Sequence, residues 1–263
     1  MLTLIAVVSS AGGAGRSTVC AHLATQLAHA SHPAAVIELD AQNSLAALLG
    51  LRETCEAGVL TEGVAPDSWR TIVRDTPPGV ALLPAGRSNA ASVAAMAQWL
   101  RDDTGGLRRQ LGAAGLPDGA RVFIDTPRLP DAMTQALMAS ADLVMGVVPV
   151  TTTGCVTQPD LMTACAGRVQ MVPNLAAASS PLNNDLLHLI QGRGGDAVVP
   201  LRIHRDEAVG IAGAAGEPLA KAGHGSQAAL DFVELAAWVL RATTPDDGTG
   251  TPGTPGSAGR AVP

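Results

Sequence analysis

An apolar run, Leu2 to Val8, leads straight into Ser9-Ser-Ala-Gly-Gly-Ala-Gly-Arg-Ser-Thr18, and helical spacing starts immediately afterwards. Strand, glycine-rich loop and helix in that order constrain the chain more than any other feature. They form the framework of a Walker A phosphate loop, G-x-x-x-x-G-K-[ST]. Gly12, Gly13 and Gly15 allow the backbone to curl around an anion with its N–H groups pointing inward. Ser17 opens a helix whose positive end faces the same anion, and its hydroxyl can reach Mg²⁺. The loop therefore predicts phosphate binding through Gly12, Gly13, Ala14, Gly15, Arg16, Ser17 and Thr18. Gly15, Arg16 and Ser17 occupy the last three places of the pattern, and Arg16 stands where lysine is expected.

Beyond the loop, strands and helices continue to alternate. Strand-like apolar runs recur at Leu2–Val8, Ala34–Leu39, Val80–Leu83, Arg121–Ile124, Leu143–Val148, Arg168–Val172 and Val198–Ile203. They are continuous rather than alternating, as in strands covered on both faces. Helical spacing lies between them at Ser17–Ala30, Ala90–Arg101, Asp131–Ser140 and Asn183–Gln191. The prediction is an α/β fold, a mostly parallel sheet flanked by helices on both faces. With two Phe, three Trp and no Tyr, its core must be aliphatic. Residues 1–242 are expected to form this single domain, and 243–263, rich in Thr, Pro and Gly, a disordered tail. Before the tail, Gln227–Leu240 carries Leu230, Phe232, Val233, Leu235, Trp238 and Val239 without a basic polar face. That favours core packing over a membrane surface.

Composition excludes several function classes. A net charge of −6 argues against a general grip on nucleic acid, although Arg101, Arg108 and Arg109 form a local basic group. Lys221 is the single lysine, and the other sixteen of seventeen basic residues are arginines. A codon bias toward Arg accounts for Arg16 as well as selection does. Cys20, Cys55, Cys155 and Cys165 show no C-x-x-C pair and no histidine at zinc spacing, so reduced cytosolic thiols are expected. His22 and His29, on the first predicted helix, are read as facing its surface or a neighbour rather than a metal. No signal peptide is expected from the first residues, and the apolar runs are too short or too broken by glycine for the roughly 20 residues a membrane span needs.

Two strand ends add carboxylates. Ile37-Glu38-Leu39-Asp40 closes the second predicted strand, where open α/β sheets bind ligands. Asp40 is placed there to orient an attacking water or to hold a metal-bound one; capping of the next helix can fall to Asn43 or Ser44 instead. Val122-Phe123-Ile124-Asp125 is an apolar strand ending in Asp before Thr126-Pro127. This is the Walker B pattern, with Asp125 directed at Mg²⁺. His204, Arg205, Asp206 and Glu207 form the densest charged cluster, read as a loop-to-helix start with its acids at the positive helix end.

Taken in order, Ala11-Gly-Gly-Ala-Gly-Arg-Ser17, Glu38-Leu-Asp-Ala-Gln42 and Asp125-Thr-Pro127 resemble the deviant-Walker ATPases of the ParA/MinD group. The likeness continues through Ala141-Asp-Leu-Val144 to Asn174 and covers residues 3 to 241. Within the group, Val199-Pro-Leu-Arg-Ile-His-Arg-Asp-Glu-Ala208, Glu217-Pro-Leu219 and Asp125-Thr-Pro-Arg128 are similar to the BcsQ (YhjQ) cellulose-biosynthesis family. The resemblance implies ATP and Mg²⁺ as cofactors. It places Gly12, Gly13, Gly15 and Ser17 at the phosphates and Mg²⁺. It makes Asp40 the switch I aspartate, Asp125 the Walker B aspartate and Asn174 the reader of adenine. It also implies a nucleotide-dependent homodimer in the cytoplasm, recruited through partners to cellulose synthase subunits at the inner membrane, with no specific nucleic acid and no membrane insertion of its own.

The chain departs from the group twice. The signature lysine that reaches the partner subunit's phosphates aligns with Ala11, and the loop lysine with Arg16. Arginine is a larger, planar, bidentate cation, where lysine is a compact point charge. A loop shaped for lysine is therefore expected to keep nucleotide binding and lose several kcal/mol of transition-state stabilisation, on the order of a hundredfold in rate. The resemblance leaves three functions open: a slow ATP-binding regulator of cellulose biosynthesis, an active ATPase for positioning or partitioning, and a scaffold that hydrolyses nothing.

Overall fold

The computed structural model describes residues 1–65, 67–177, 179–217, 219 and 225–244. Seven strands form one sheet in the order β3-β4-β2-β5-β1-β6-β7. They are β1 (Thr3–Val8), β2 (Ala34–Glu38), β3 (Arg74–Asp75), β4 (Ala81–Leu83), β5 (Arg121–Asp125), β6 (Leu143–Pro149) and β7 (Val169–Asn174). All neighbours pair in parallel except β3, a two-residue strand antiparallel to β4 at the edge. The first strand sits between β5 and β6, so the chain leaves β1 toward one edge and returns on its other side. The crevice at that switch point, beyond the carboxyl ends of the strands, is where sheets of this kind hold ligands.

Both faces of the sheet are covered, which is why its strands read as unbroken apolar runs. Ile5 and Val7 point to one face, where they join Val36, Phe123, Met145 and Val147. Leu4, Ala6 and Val8 point to the other, into clusters with Ile37, Val122 and Ile124 and with Val144, Val148 and Met171. On the first face lie α1 (Arg16–His29) and the C-terminal helix Gln227–Thr243. Phe232, Leu235 and Val239 hold that helix against Leu23 and Leu27 of α1. Complete burial of side chains this size contributes about 1.5–3 kcal/mol each. Leu230 and Val233 of the same helix, expected in the core, face outward at 59% and 52% exposure.

Several elements differ from the sequence reading. Val198–Ile203 is not a strand: it runs beside β7, with Val199 N donating to Met171 O at 2.9 Å and Ile203 N to Pro173 O at 2.9 Å. The two donors are four residues apart and their acceptors only two, so a regular ladder does not form. A helix spans Thr152–Ala164 although Pro159 lies inside it. Proline leaves the carbonyl four residues back without its helical partner. Here that carbonyl, Cys155 O, accepts from Arg193 Nη1 at 2.9 Å. The charged cluster does start a helix, Glu207–Ala215, with Asp206 as its N-cap. Beyond residue 244, the expected tail lies outside the described residues. Among the described residues, no helix is long and apolar enough to cross a membrane.

Candidate functional site

The loop between β1 and α1 keeps its shape through its own backbone. Ser9 Oγ accepts from Ala11 N at 3.1 Å, and Gly15, with φ +89°, turns the chain into α1 without a side-chain cap. A Cβ on Gly15 would stand 2.6 Å from Asn174 Nδ2, so only glycine fits there. Among the described residues, the N–H groups of Gly12, Gly13, Ala14 and Gly15 donate to no protein acceptor. They crowd the amino end of a 14-residue helix that has no acidic residue in its first turn. Unpaired donors and the helix dipole together suit an anion with several oxygens.

The two strand-ending carboxylates close in from β2 and β5. Asp125 is fully buried, and Ser17 Oγ donates to its Oδ2 at 2.6 Å. Its Oδ1 is buried without a partner. Burial pushes the carboxyl up to about 7, against the pull of the Ser17 hydroxyl and the Arg16 charge. A buried, orphaned oxygen of this kind normally marks an absent ion or partner. Ser17 and Asp125 fit Mg²⁺: a hydroxyl and one carboxylate, leaving further positions to phosphate and water. Among the described residues no cluster of three or more His, Cys, Asp or Glu could hold a metal unaided.

Arg16 and Asp40 meet directly. Arg16 Nη2 lies 3.2 Å from Asp40 Oδ2, with the side chains only 13% and 15% exposed. Asp40 Oδ1 accepts from Gln42 N at 3.1 Å. The cation in the lysine place is thus turned toward Asp40, and its Nε is buried without a partner. Thr18 lies in the first turn of α1, partly buried. Asn174, at the end of β7, donates from Nδ2 to Ala14 O at 2.7 Å and accepts from Leu175 N at 2.8 Å. In this geometry it is a strut under the loop. Ala11 is buried at 2% exposure and presents only a methyl group.

One functional neighbour was not assigned from sequence. Glu38 lies beside Asp125 across the β2–β5 ladder and is fully buried. Its Oε1 accepts from Ser44 N at 2.5 Å and Leu45 N at 3.1 Å, capping the helix Leu45–Leu48 in place of the Asn43 or Ser44 side chain. Burial pushes it up to about 7 as well, and its Oε2 has no partner. A glutamate closing an apolar strand two residues before Asp40 was the available signal. The basic group Arg101, Arg108 and Arg109 is engaged away from the loop. Arg108 pairs with Asp142 at 2.8 Å and Arg109 with Asp103. His22 is buried with its ring centroid 4.9 Å from that of Phe232, while His29 is exposed. All four cysteines are free thiols.

The family model for "Cellulose biosynthesis protein BcsQ" matches residues 2–240, and the chain belongs to this family. No curated protein matches the sequence. Among solved structures, the chain resembles McdA from Cyanothece in complex with ATP, at TM-score 0.73 and 16% identity over 91% of this chain and 96% of that one. It resembles MinD from Pyrococcus horikoshii with Mg-ADP at TM-score 0.71 and 19% identity, over 91% and 96%. Cobyrinic acid a,c-diamide synthase from Mycobacterium smegmatis, with an ATP analogue and magnesium, is similar at TM-score 0.69 and 20% identity, over 92% and 95%. These likenesses establish the fold, a mostly parallel sheet of the P-loop NTPase type.

Proposed function

We propose that this BcsQ-family chain is an ATP-binding switch, two copies of which close on Mg·ATP and, so closed, support assembly or localisation of the cellulose synthase complex at the cytoplasmic face of the inner membrane. The supporting observation is the pairing of unpartnered loop N–H groups with the orphaned oxygen of Asp125 beside Ser17. Leaving the Asp125 oxygen buried and unpaired costs about 1–3 kcal/mol, a cost that a bound cation would offset. Gly12, Gly13, Ala14, Gly15 and Thr18 would hold the phosphates, and Ser17 and Asp125 the metal. Mg²⁺ supplies charge neutralisation to the phosphates when bound.

Turnover in this reading is slow. Arg16 is held by Asp40, so the residue that should polarise phosphate and the one that should orient water restrain each other. The experiment is a Mg·ATP titration with phosphate release on the wild type and on Arg16→Lys. Binding with faint release in the wild type, and at least tenfold faster release in Arg16→Lys, is the expected result. Absence of Mg·ATP binding by the wild type removes the reading. The positioning ATPase is the second reading, favoured by Asp40 at the mouth of the site. It requires brisk phosphate release that disappears in Asp40→Ala.

A further inference from the structure

The phosphate loop is exposed along Gly12 and Gly13. A Cβ placed on Gly13 would meet nothing within 4 Å; one on Gly12 would meet a single atom, Nη1 of Arg128, at 3.5 Å. Arg128 comes from a different part of the chain, three residues beyond Asp125. Its segment is fastened to β1 and the loop on either side. Thr126 Oγ1 donates to Val7 O at 2.9 Å, and Leu129 N donates to Ser9 O at 3.0 Å. The backbone at Arg128 is therefore held alongside the start of the loop, and the guanidinium lies over Gly12.

That guanidinium is exposed and, among the described residues, takes part in no hydrogen bond or ion pair. The contrast with Arg16 is direct, because Arg16 is engaged by Asp40. Ala11 contributes no charge. A loop with unpaired N–H donors thus has one uncommitted cation resting on its open side. Guanidinium is suited to such a place: its planar fork grips two phosphate oxygens at once and stays charged at any working pH.

We propose that Arg128 is a phosphate-binding residue of the nucleotide site, supplying from the open side of the loop the cation that Ala11 does not. This rests on the nucleotide-binding reading above. Its contribution should grow with the charge of the phosphate chain, because the attraction is electrostatic and the site partly open to water.

The test is equilibrium binding of Mg·ATP, ADP and AMP to the full chain, for wild type, Arg128→Ala, Arg128→Gln and Arg128→Lys. Arg128→Ala and Arg128→Gln should bind Mg·ATP at least tenfold more weakly, a loss typical of a charge-assisted hydrogen bond. The loss for AMP should be under threefold, and Arg128→Lys should recover part of the ATP affinity. Because the side chain is exposed, thermal midpoints should stay within about 2 °C of the wild type. ATP affinity within twofold of wild type in Arg128→Ala overturns the proposal, as does an equal proportional loss for ATP and AMP. A wild type that binds no Mg·ATP overturns the nucleotide reading itself, whereas normal wild-type binding with an unaffected Arg128→Ala overturns only the role of Arg128.

Discussion

Two carboxylate clusters in this molecule differ in one respect. At the centre of the sheet, Asp125 and Glu38 each keep one buried oxygen without a partner, and burial pushes both up to about 7. Beyond the β7 edge, Asp231 and Asp206 have both oxygens engaged. Asp231 accepts from His204 N and His204 Nδ1 at 2.8 Å and from Gln227 Nε2 at 2.9 Å. Asp206 accepts from Ala208 N at 2.9 Å, Ser226 Oγ at 2.8 Å and Ala228 N at 3.3 Å, and these bonds hold its carboxyl below the usual range. The satisfied pair fastens the start of the C-terminal helix to the loop before Glu207–Ala215. The unsatisfied pair lies under the phosphate loop. Of these four carboxylates, only Asp125 and Glu38 keep a buried oxygen without a partner.

The contrast can be broken most severely at the loop. Gly15→Val puts a branched side chain at φ +89° and onto Asn174, so nucleotide binding should fall by more than a hundredfold, read by calorimetric titration, with the fold retained in circular dichroism. At the fastening cluster the effect should move to stability. Asp231→Ala strands the His204 N–H and ring, and a loss of about 3 kcal/mol in urea unfolding is expected with nucleotide affinity unchanged. Weaker ATP binding in Asp231→Ala would mean that the two clusters are coupled.

His22 tests the layer that joins them, since it sits on α1 against Phe232. Burial lowers its pKa to about 4, from 6.5. The unfolded chain then binds the proton more readily than the fold does, so stability is full above pH 6.5 and falls as pH drops toward 4. Between pH 7 and pH 5 this amounts to about 2 kcal/mol, and His22→Leu should flatten that part of the pH–stability curve whatever its absolute stability. A slope unchanged in His22→Leu would refute the assignment. The smallest effect is expected at Asp125→Asn. Removing a buried charge should raise stability by about 1 kcal/mol at pH 8 in the absence of metal, while Mg²⁺ ceases to improve nucleotide binding. Destabilisation of that variant would move Asp125 into the class of Asp231.

Local features made much of this legible. The loop, the helix after it, Asp40 and Asp125 could be read because glycine spacing and strand-ending acids act within a few residues of themselves. The parallel sheet could be read because strands buried on both faces cannot alternate. Val198–Ile203 misled, since its composition suits a strand and only its placement against β7, where donors four residues apart meet acceptors two apart, shows that it is not one. The helix Thr152–Ala164 was hidden by Pro159, whose cost is offset by Arg193, 34 residues away in sequence. Glu38 read as part of a strand end, and its capping of Leu45–Leu48 depends on how that helix docks.

The sequence by itself determined the fold class, the family and the glycine-rich turn between β1 and α1, because each is written in contiguous residues whose backbone preferences and burial pattern are local. It also showed that both lysines of the ParA/MinD loop are missing, at Ala11 and Arg16. Only the tertiary structure decided what the arginines do instead. Arg16 is drawn to Asp40 because β1 and β2 bring their carboxyl ends together around β5. Arg128 lies on Gly12 because Thr126 and Leu129 are tied to Val7 and Ser9. A long, flexible cation has no direction of its own; the nearest fixed acid and the anchoring of its backbone supply one.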